Sequence, residues 1–189
     1  MTKHLLFAGV DEAGRGPLAG PVLAAAVILP DDFLLPGLTD SKKLSAINRQ
    51  QLEPLIKQQA ITWAVAEASA AEIDELNILQ ATMLAMSRAV AGLHILADHV
   101  LVDGNREPDL TIPCTCIIKG DLTEPAISAA SVLAKEARDR LLIQMHADFP
   151  VYGFAQHKAY PTAAHLAALK EYGPCPEHRR SFRPVRECL

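Results

Sequence analysis

Aromatic residues are scarce: Phe, Trp and Tyr make up 5% of the sequence, so a core of aliphatic side chains and closely packed, alanine-rich helices is expected. Long apolar runs are missing as well. The longest, residues 22–29 and 100–102 with their neighbours, are strand-sized and far short of the roughly 20 residues that a membrane-spanning helix needs. Met1-Thr2-Lys3-His4 leads straight into a short apolar segment, without the h-region or cleavage site of a secretory signal. The four cysteines contain no C-x-x-C pair, which argues against zinc. Cys114 and Cys116 alternate along one expected strand and Cys175 and Cys188 lie near the end, a pattern of free thiols in a reducing compartment. A cytoplasmic chain with no membrane association is expected.

Neither sign of charge dominates. The formal net charge of −4 argues mildly against a nucleic-acid partner. Its distribution softens the point. From residue 150 onward Lys158, Lys170, Arg179, Arg180, Arg183 and Arg186 outnumber Glu171, Glu177 and Glu187. A carboxylate cluster loaded with divalent cations would not repel phosphate either.

The 189 residues suffice for one domain, and no repeat or linker divides them. A strand is expected over 4–10, ending in Asp11-Glu12 and the tight turn Gly14-Arg15-Gly16-Pro17. Residues 22–29 are continuously apolar, a strand buried on both faces. A helix follows over 46–59 with Pro54 disturbing its middle, then a strand over 61–68. Ser69 and Glu72 form a capping box for a helix running to about Ala91, with Gly92 as its stop. Strands over 99–102 and 112–118 end at Asp103-Gly104 and at Lys119-Gly120-Asp121. Pro125 opens a helix with periodicity from 127 to 146, and a last helix spans about 161–173. The tail reads as loop or loosely docked. The order implies an α/β domain with a mixed sheet, its first three strands forming an antiparallel meander. The segment from about 150 forms a helical, basic extension of that single domain.

The acids carry the chemistry. Asp11, Glu12, Asp103 and Asp121 all sit at the ends of strand-like runs, which in an α/β sheet converge on one edge. Four carboxylates there could not all ionise without countercharge. Hard oxygen ligands favour Mg²⁺ or Mn²⁺. Two such ions, roughly 4 Å apart, can activate a water and stabilise the departing oxygen of a phosphodiester. Plainer readings exist: Asp103 before glycine as a turn former, Asp121 as a helix-preceding acid. Spacing alone names no substrate.

Several blocks carry a resemblance. Gly9-Val-Asp11-Glu12-Ala-Gly14-Arg15-Gly16-Pro17-Leu-Ala-Gly20-Pro, Asp40-Ser-Lys-Lys-Leu-Ser45, Glu72-Ile-Asp-Glu-Leu-Asn77, Val102-Asp103-Gly104-Asn105, Lys119-Gly120-Asp121, Ser128-Ala-Ala-Ser131, Ala134-Lys135, Arg138-Asp139 and Tyr152-Gly-Phe-Ala-Gln-His157-Lys158 are similar, in order, to those of bacterial ribonuclease HII. The resemblance implies an RNase H-like mixed β-sheet flanked by helices, with a small C-terminal helical extension. It implies a Mg²⁺ or Mn²⁺ site of Asp11, Glu12, Asp103 and Asp121. It also implies that the turn Gly14, Arg15, Gly16 reads a ribose 2′-hydroxyl through its backbone, the group that marks RNA within a duplex. Tyr160 would lie against the neighbouring sugar, and Lys42 and Lys43 would neutralise phosphates. The family's usual glycine before that tyrosine is Ala159 here, strained by roughly 1 kcal/mol if the position needs a positive φ. Asp139 is a second candidate for the fourth carboxylate, ranked lower because Arg138 and Arg140 beside it offer ion pairs. The histidines read as packing or surface residues.

The expected activity is cleavage of the RNA strand of RNA–DNA hybrids, and nicking 5′ of single ribonucleotides in duplex DNA, by a monomer. The alternatives are a ribonuclease HIII-like enzyme that prefers runs of ribonucleotides, although its typical extra N-terminal domain is not seen, and a hybrid-binding module without catalysis. A P-loop ATPase is disfavoured because no G-x-x-x-x-G-K-[ST] segment exists. A sliding-clamp contact belongs to the family's range, and no clear motif for it stands in the tail.

Overall fold

The computed structural model describes residues 5–189. The apolar runs become five strands: β1 (Phe7–Ala13), β2 (Val22–Ile28), β3 (Thr62–Ala68), β4 (His99–Asp103) and β5 (Cys114–Ile117). They form one mixed sheet in the order β3-β2-β1-β4-β5. The first three are the expected antiparallel meander, and β4 and β5 continue the sheet in parallel. His4, the expected first strand residue, lies outside the described residues. The strand does not stop at Val10 either. It continues through both acids, because Glu12 and Ala13 still pair with Ala24 and Leu23.

Helices cover both faces, and every residue of β2 is buried. Helix α1 (Ala46–Gln59) keeps its turns across Pro54, whose ring is exposed. Helices α2 (Ala70–Leu76) and α3 (Ile78–Ala91) follow β3. On one face α3 packs Ala81, Ala85, Met86 and Ala89 against Ala8, Val10 and the even-numbered residues of β2. On the other, the long α4 (Pro125–Asp148) packs Ala129, Ala130, Val132 and Leu133 against Ala25 and Val27. Small side chains on strand and helix let the layers approach closely, as the lack of aromatics implied. No helix among the described residues is long and apolar enough to cross a membrane.

Two further expectations are corrected. The helix expected over 70–91 is two helices, broken at Asn77, which sits at φ 73°. Asn tolerates that left-handed region, and its Oδ1 then caps α3 by accepting from the Leu79 and Gln80 amides. The tail is not loosely docked. After α5 (Phe154–His157) and α6 (Ala163–Tyr172) it closes onto the domain, with His178, Arg179 and Val185 all buried and a last turn of helix at α7 (Arg183–Arg186).

The capping box is present as expected, with the Ser69 amide donating to Glu72 and the Glu72 amide to the Ser69 hydroxyl. Hydrogen bonds from Arg88, then from the Ser69 amide, hold the Glu72 carboxyl down at about 2 against an ordinary 4.5. A carboxyl depressed by folding stabilises the fold above its unfolded value, and that contribution disappears as pH falls through the folded one. Glu72→Gln is therefore expected to lower the melting temperature at about pH 7 and to match the parent at about pH 2. An equal deficit at both pH values would assign the loss to packing instead of charge.

Candidate active site

Strand pairing brings two of the acids together. Val10 pairs with Val102 across the parallel β1–β4 ladder, and both belong to the core under α3. One residue further along each strand, Asp11 and Asp103 turn together to the opposite face, the one covered by α4. Glu12 has the other parity, at the strand's end, where its Oε1 lies 3.4 Å from Arg15 Nη1. Asp121 comes in on a single 3₁₀ turn after β5, Gly120–Leu122, and its amide donates to Asp103 Oδ1 at 3.4 Å.

These carboxyls crowd one another. Asp11 is 3% exposed, and burial, then Glu12 and Asp103, push its carboxyl well above the ordinary range. Burial, then Asp103 and Asp40, raise Asp121 as well. Asp40 is the acid that the sequence reading did not single out. It sits two residues before Lys42, on a loop tied down where Arg49 donates to the Ser41 and Leu44 carbonyls. Burial works against the charge on Lys42, yet Asp11, Asp40, Glu12 and Asp121 outweigh it and hold that ammonium's pKa up. Lys43 is exposed and stands outside the lining of the cleft described next. The Ser131 hydroxyl, on α4, shares a 2.8 Å hydrogen bond with the Ser41 hydroxyl, and its interaction with the Asp11 carboxyl acts to lower that acid against the rise from burial.

Beside the acids lies a cleft of about 180 Å³, lined among others by Glu12, the Gly14-Arg15-Gly16 turn, Lys42, Lys135 and Tyr160. Tyr160 is 44% exposed, and its ring edge is 3.6 Å from where a Cβ on Gly16 would stand. Ala159 before it is buried at φ 64°, so the alanine does occupy a conformation in which glycine would be unstrained. A larger groove of about 660 Å³ opens at the other end of β1, lined by Leu6, Phe7, Leu29 and Phe33 among others, and holds none of the four expected acids.

Asp139 is explained by ion pairs, though not with its chain neighbours. Adjacent helical residues point apart. Its partners are Arg49 at 3.2 Å and Lys135, one turn earlier, at 2.5 Å. Arg140 turns to Glu53 on α1. Arg138 is fully buried and donates to the carbonyls of Ala19, Pro21 and Lys158. The sequence carried a signal for it: Arg138 falls on the stripe Ala134, Leu142, Met145, whose other members are apolar and buried.

Tyr160 is held from behind by histidines. The Cys175 amide donates to His178 Nδ1, which places the His178 proton on Nε2, 3.0 Å from His165 Nε2. His165 must then donate from Nδ1 to the Tyr160 carbonyl, also at 3.0 Å. Burial, then the neighbouring His165, pull His178 down to about 4, so this chain runs between neutral rings.

Among the described residues, no group of three or more His, Cys, Asp or Glu is drawn together tightly enough to hold a metal ion as it stands. The donor chemistry nevertheless fits a hard divalent cation: oxygen ligands only, and a buried carboxyl that lacks sufficient countercharge.

The sheet order and its flanking helices are those of a ribonuclease H-like α/β fold. The ribonuclease H2 of Pyrococcus horikoshii OT3 superposes with a TM-score of 0.80 at 25% identity, over 97% of either chain. An RNase HII of Archaeoglobus fulgidus, solved in complex with PCNA, gives 0.75 at 25% identity over 95% of this chain and 96% of that one. A family model described as Ribonuclease HII matches residues 8–185. The ribonuclease HII of Azoarcus sp. (strain BH72) is 59% identical over 184 residues, 97% of this chain and 90% of that protein. Ribonuclease HII 1 of Methylibium petroleiphilum is 60% identical over 187 residues, 98% and 94% of the two. The chain belongs to the ribonuclease HII family and is a ribonuclease H enzyme.

Proposed function

We propose that this ribonuclease cuts the RNA strand of RNA–DNA hybrids and nicks 5′ of single ribonucleotides in duplex DNA, with residues 1–189 acting as one catalytic unit. The observation that carries this reading is the β1–β4 register, whose Val10–Val102 pair leaves Asp11 and Asp103, one residue on, sharing the opposite sheet face next to a cleft bounded by the Gly14-Arg15-Gly16 turn and Tyr160.

Asp11, Glu12, Asp103 and Asp121 would hold Mg²⁺ or Mn²⁺. Such ions, when bound, supply an activated water and charge stabilisation for the departing oxygen. The chain's own groups do the rest. Lys42, its charge held up by the acids, meets a backbone phosphate at the cleft's edge. Lys43, one residue on and exposed, extends that contact along the strand. The turn offers backbone to a sugar, and Tyr160 closes the other side against the adjoining one. Ser131 fixes Asp11 and the Lys42 loop relative to each other.

The test uses three labelled duplexes: all-DNA, one ribonucleotide in DNA, and a long RNA–DNA hybrid. Each is incubated with Mg²⁺, Mn²⁺ or EDTA. The expected result is a metal-dependent nick 5′ of the ribonucleotide, cleavage of the hybrid, and an intact all-DNA duplex. Cleavage of the hybrid alone would favour an enzyme that needs several ribonucleotides. Binding without cleavage in either metal would leave the hybrid-binding module.

A further inference from the structure

Arg179 is a fully buried guanidinium that the reading above leaves without a task. Among the described residues no carboxylate pairs with it. Instead all five of its N–H donors go to main-chain carbonyls of one short segment. Nε bonds Gly20 at 2.9 Å, Nη1 bonds Arg15 at 3.0 Å and Pro17 at 2.7 Å, and Nη2 bonds Gly14 at 2.7 Å and Pro21 at 3.2 Å. Five donors in a fixed planar fork is the whole capacity of a guanidinium. Burial, then the Arg138 guanidinium, draw its pKa to about 9, so it stays charged at neutral pH and its bonds are charge-assisted.

The consequence reaches the cleft. In a trans peptide the C=O and the following N–H point in opposite directions. Pulling the Gly14 and Arg15 carbonyls toward Arg179 therefore aims the N–H groups of Arg15 and Gly16 the other way. Among the described residues, neither of those two amides donates to another protein group. The tail that carries Arg179 is itself clamped, since Asp74 on α2 accepts from the Arg180 amide at 2.9 Å and from the Ser181 amide at 2.8 Å.

We infer that Arg179 is a positioning residue for ribonucleotide selection: it orients the Gly14-Arg15-Gly16 backbone so that two free amides face the substrate's sugar. This rests on the reading of that turn as the element that meets the 2′-hydroxyl. It adds the residue that sets its geometry, from the far end of the chain. Lysine cannot substitute, because three tetrahedral donors cannot span five carbonyls.

The experiment measures binding, in EDTA, of a duplex with one ribonucleotide against the same all-DNA duplex, together with melting temperatures. Arg179→Lys is expected to cut the preference ratio roughly tenfold, the equivalent of about 1.4 kcal/mol. Asp74→Ala, which loosens the clamp without opening the core, should cut it by about threefold with little change in melting. Met86→Ala, a cavity on the opposite face of the sheet, should lower melting and leave the ratio alone. Gly16→Ala introduces a methyl that the fold accommodates, beside Tyr160, and should abolish the preference. A ratio lost in Gly16→Ala but kept in Arg179→Lys and Asp74→Ala overturns the role of Arg179 and spares the turn. A ratio kept in all three overturns both. A ratio that falls in Met86→Ala in proportion to its melting temperature makes Arg179 merely structural. Should Arg179→Lys fail to fold, Asp74→Ala alone decides: a reduced ratio at intact melting supports the inference, and an unchanged one overturns it.

Discussion

Asp11→Asn is expected to abolish cleavage while leaving the fold as stable as before, or more so. A ligand to a catalytic divalent cation contributes several kcal/mol to the transition state, which amounts to roughly a thousandfold or more in rate. Stability should move the other way. Asp11 is buried on a strand, and burial, Glu12 and Asp103 all raise its carboxyl. A carboxyl raised by folding favours the native state while protonated, and that contribution is lost as pH climbs from the unfolded value through the folded one. Without metal, the parent should therefore lose stability as pH rises above about 4. Asn keeps the shape, and its Oδ1 can still accept from the Glu12 amide, a 2.7 Å bond in the parent. Thermal unfolding in EDTA across that range checks the point. Asp11→Asn should melt at or above the parent at neutral pH, and the gap should close in acid. Added Mg²⁺ should raise the parent's melting temperature more than the variant's. A variant that melts well below the parent at neutral pH in EDTA would make Asp11 a structural residue.

How far the sequence foretold this site differs from residue to residue. The unbroken run in β2 and the capping box at Ser69 were legible because each follows from a local rule that the rest of the chain does not contradict. Asp11 and Asp103 were legible as strand-end acids, and the parallel register then places them on one face. What the sequence hid was where charge is buried. The β1 strand was read as ending at its acids, since charge usually marks an end. It continues because the α4 face of the sheet accommodates the Asp11 carboxyl beside Ser131. The same habit made the tail look loose, yet the partners of Arg179 and His178 are carbonyls some 160 residues earlier and a histidine on α6, which no local pattern reveals. The break at Asn77 was hidden for the opposite reason. Apolar residues recur at helical spacing on both sides of it, so the periodicity runs on although the backbone does not.

Gly9→Ala is expected to cost more stability than any single methyl should, because Gly9 is where α4 rests on the strand that carries Asp11. A Cβ at this position would stand 2.2 Å from the carbonyl carbon of Ala126 and 2.3 Å from the nitrogen of Ile127. Both are main-chain atoms in the first turn of α4, so no rotamer can relieve the clash and the helix itself must move. Replacing a glycine in ordinary β conformation would otherwise stabilise slightly, by about 0.4–1 kcal/mol, through the unfolded chain. Overpacking reverses that, at about 3 kcal/mol or more, or some 6–12 °C in melting temperature for a chain of this size. Gly37→Ala serves as the comparison. It sits at φ 87° with nothing within 4 Å of a new Cβ, so it carries only the left-handed penalty of about 1–2 kcal/mol. Function should suffer beyond stability. Ser131 is one turn along α4 from Ile127 and hydrogen bonds both Asp11 and the loop that bears Lys42. A helix pushed outward by an ångström should cost on the order of a hundredfold in rate even well below the melting point. Parent-like melting in Gly9→Ala would show that α4 can yield at no cost. Reduced melting with full activity in the cold would show instead that the placement of Ser131 does not set the geometry of Asp11.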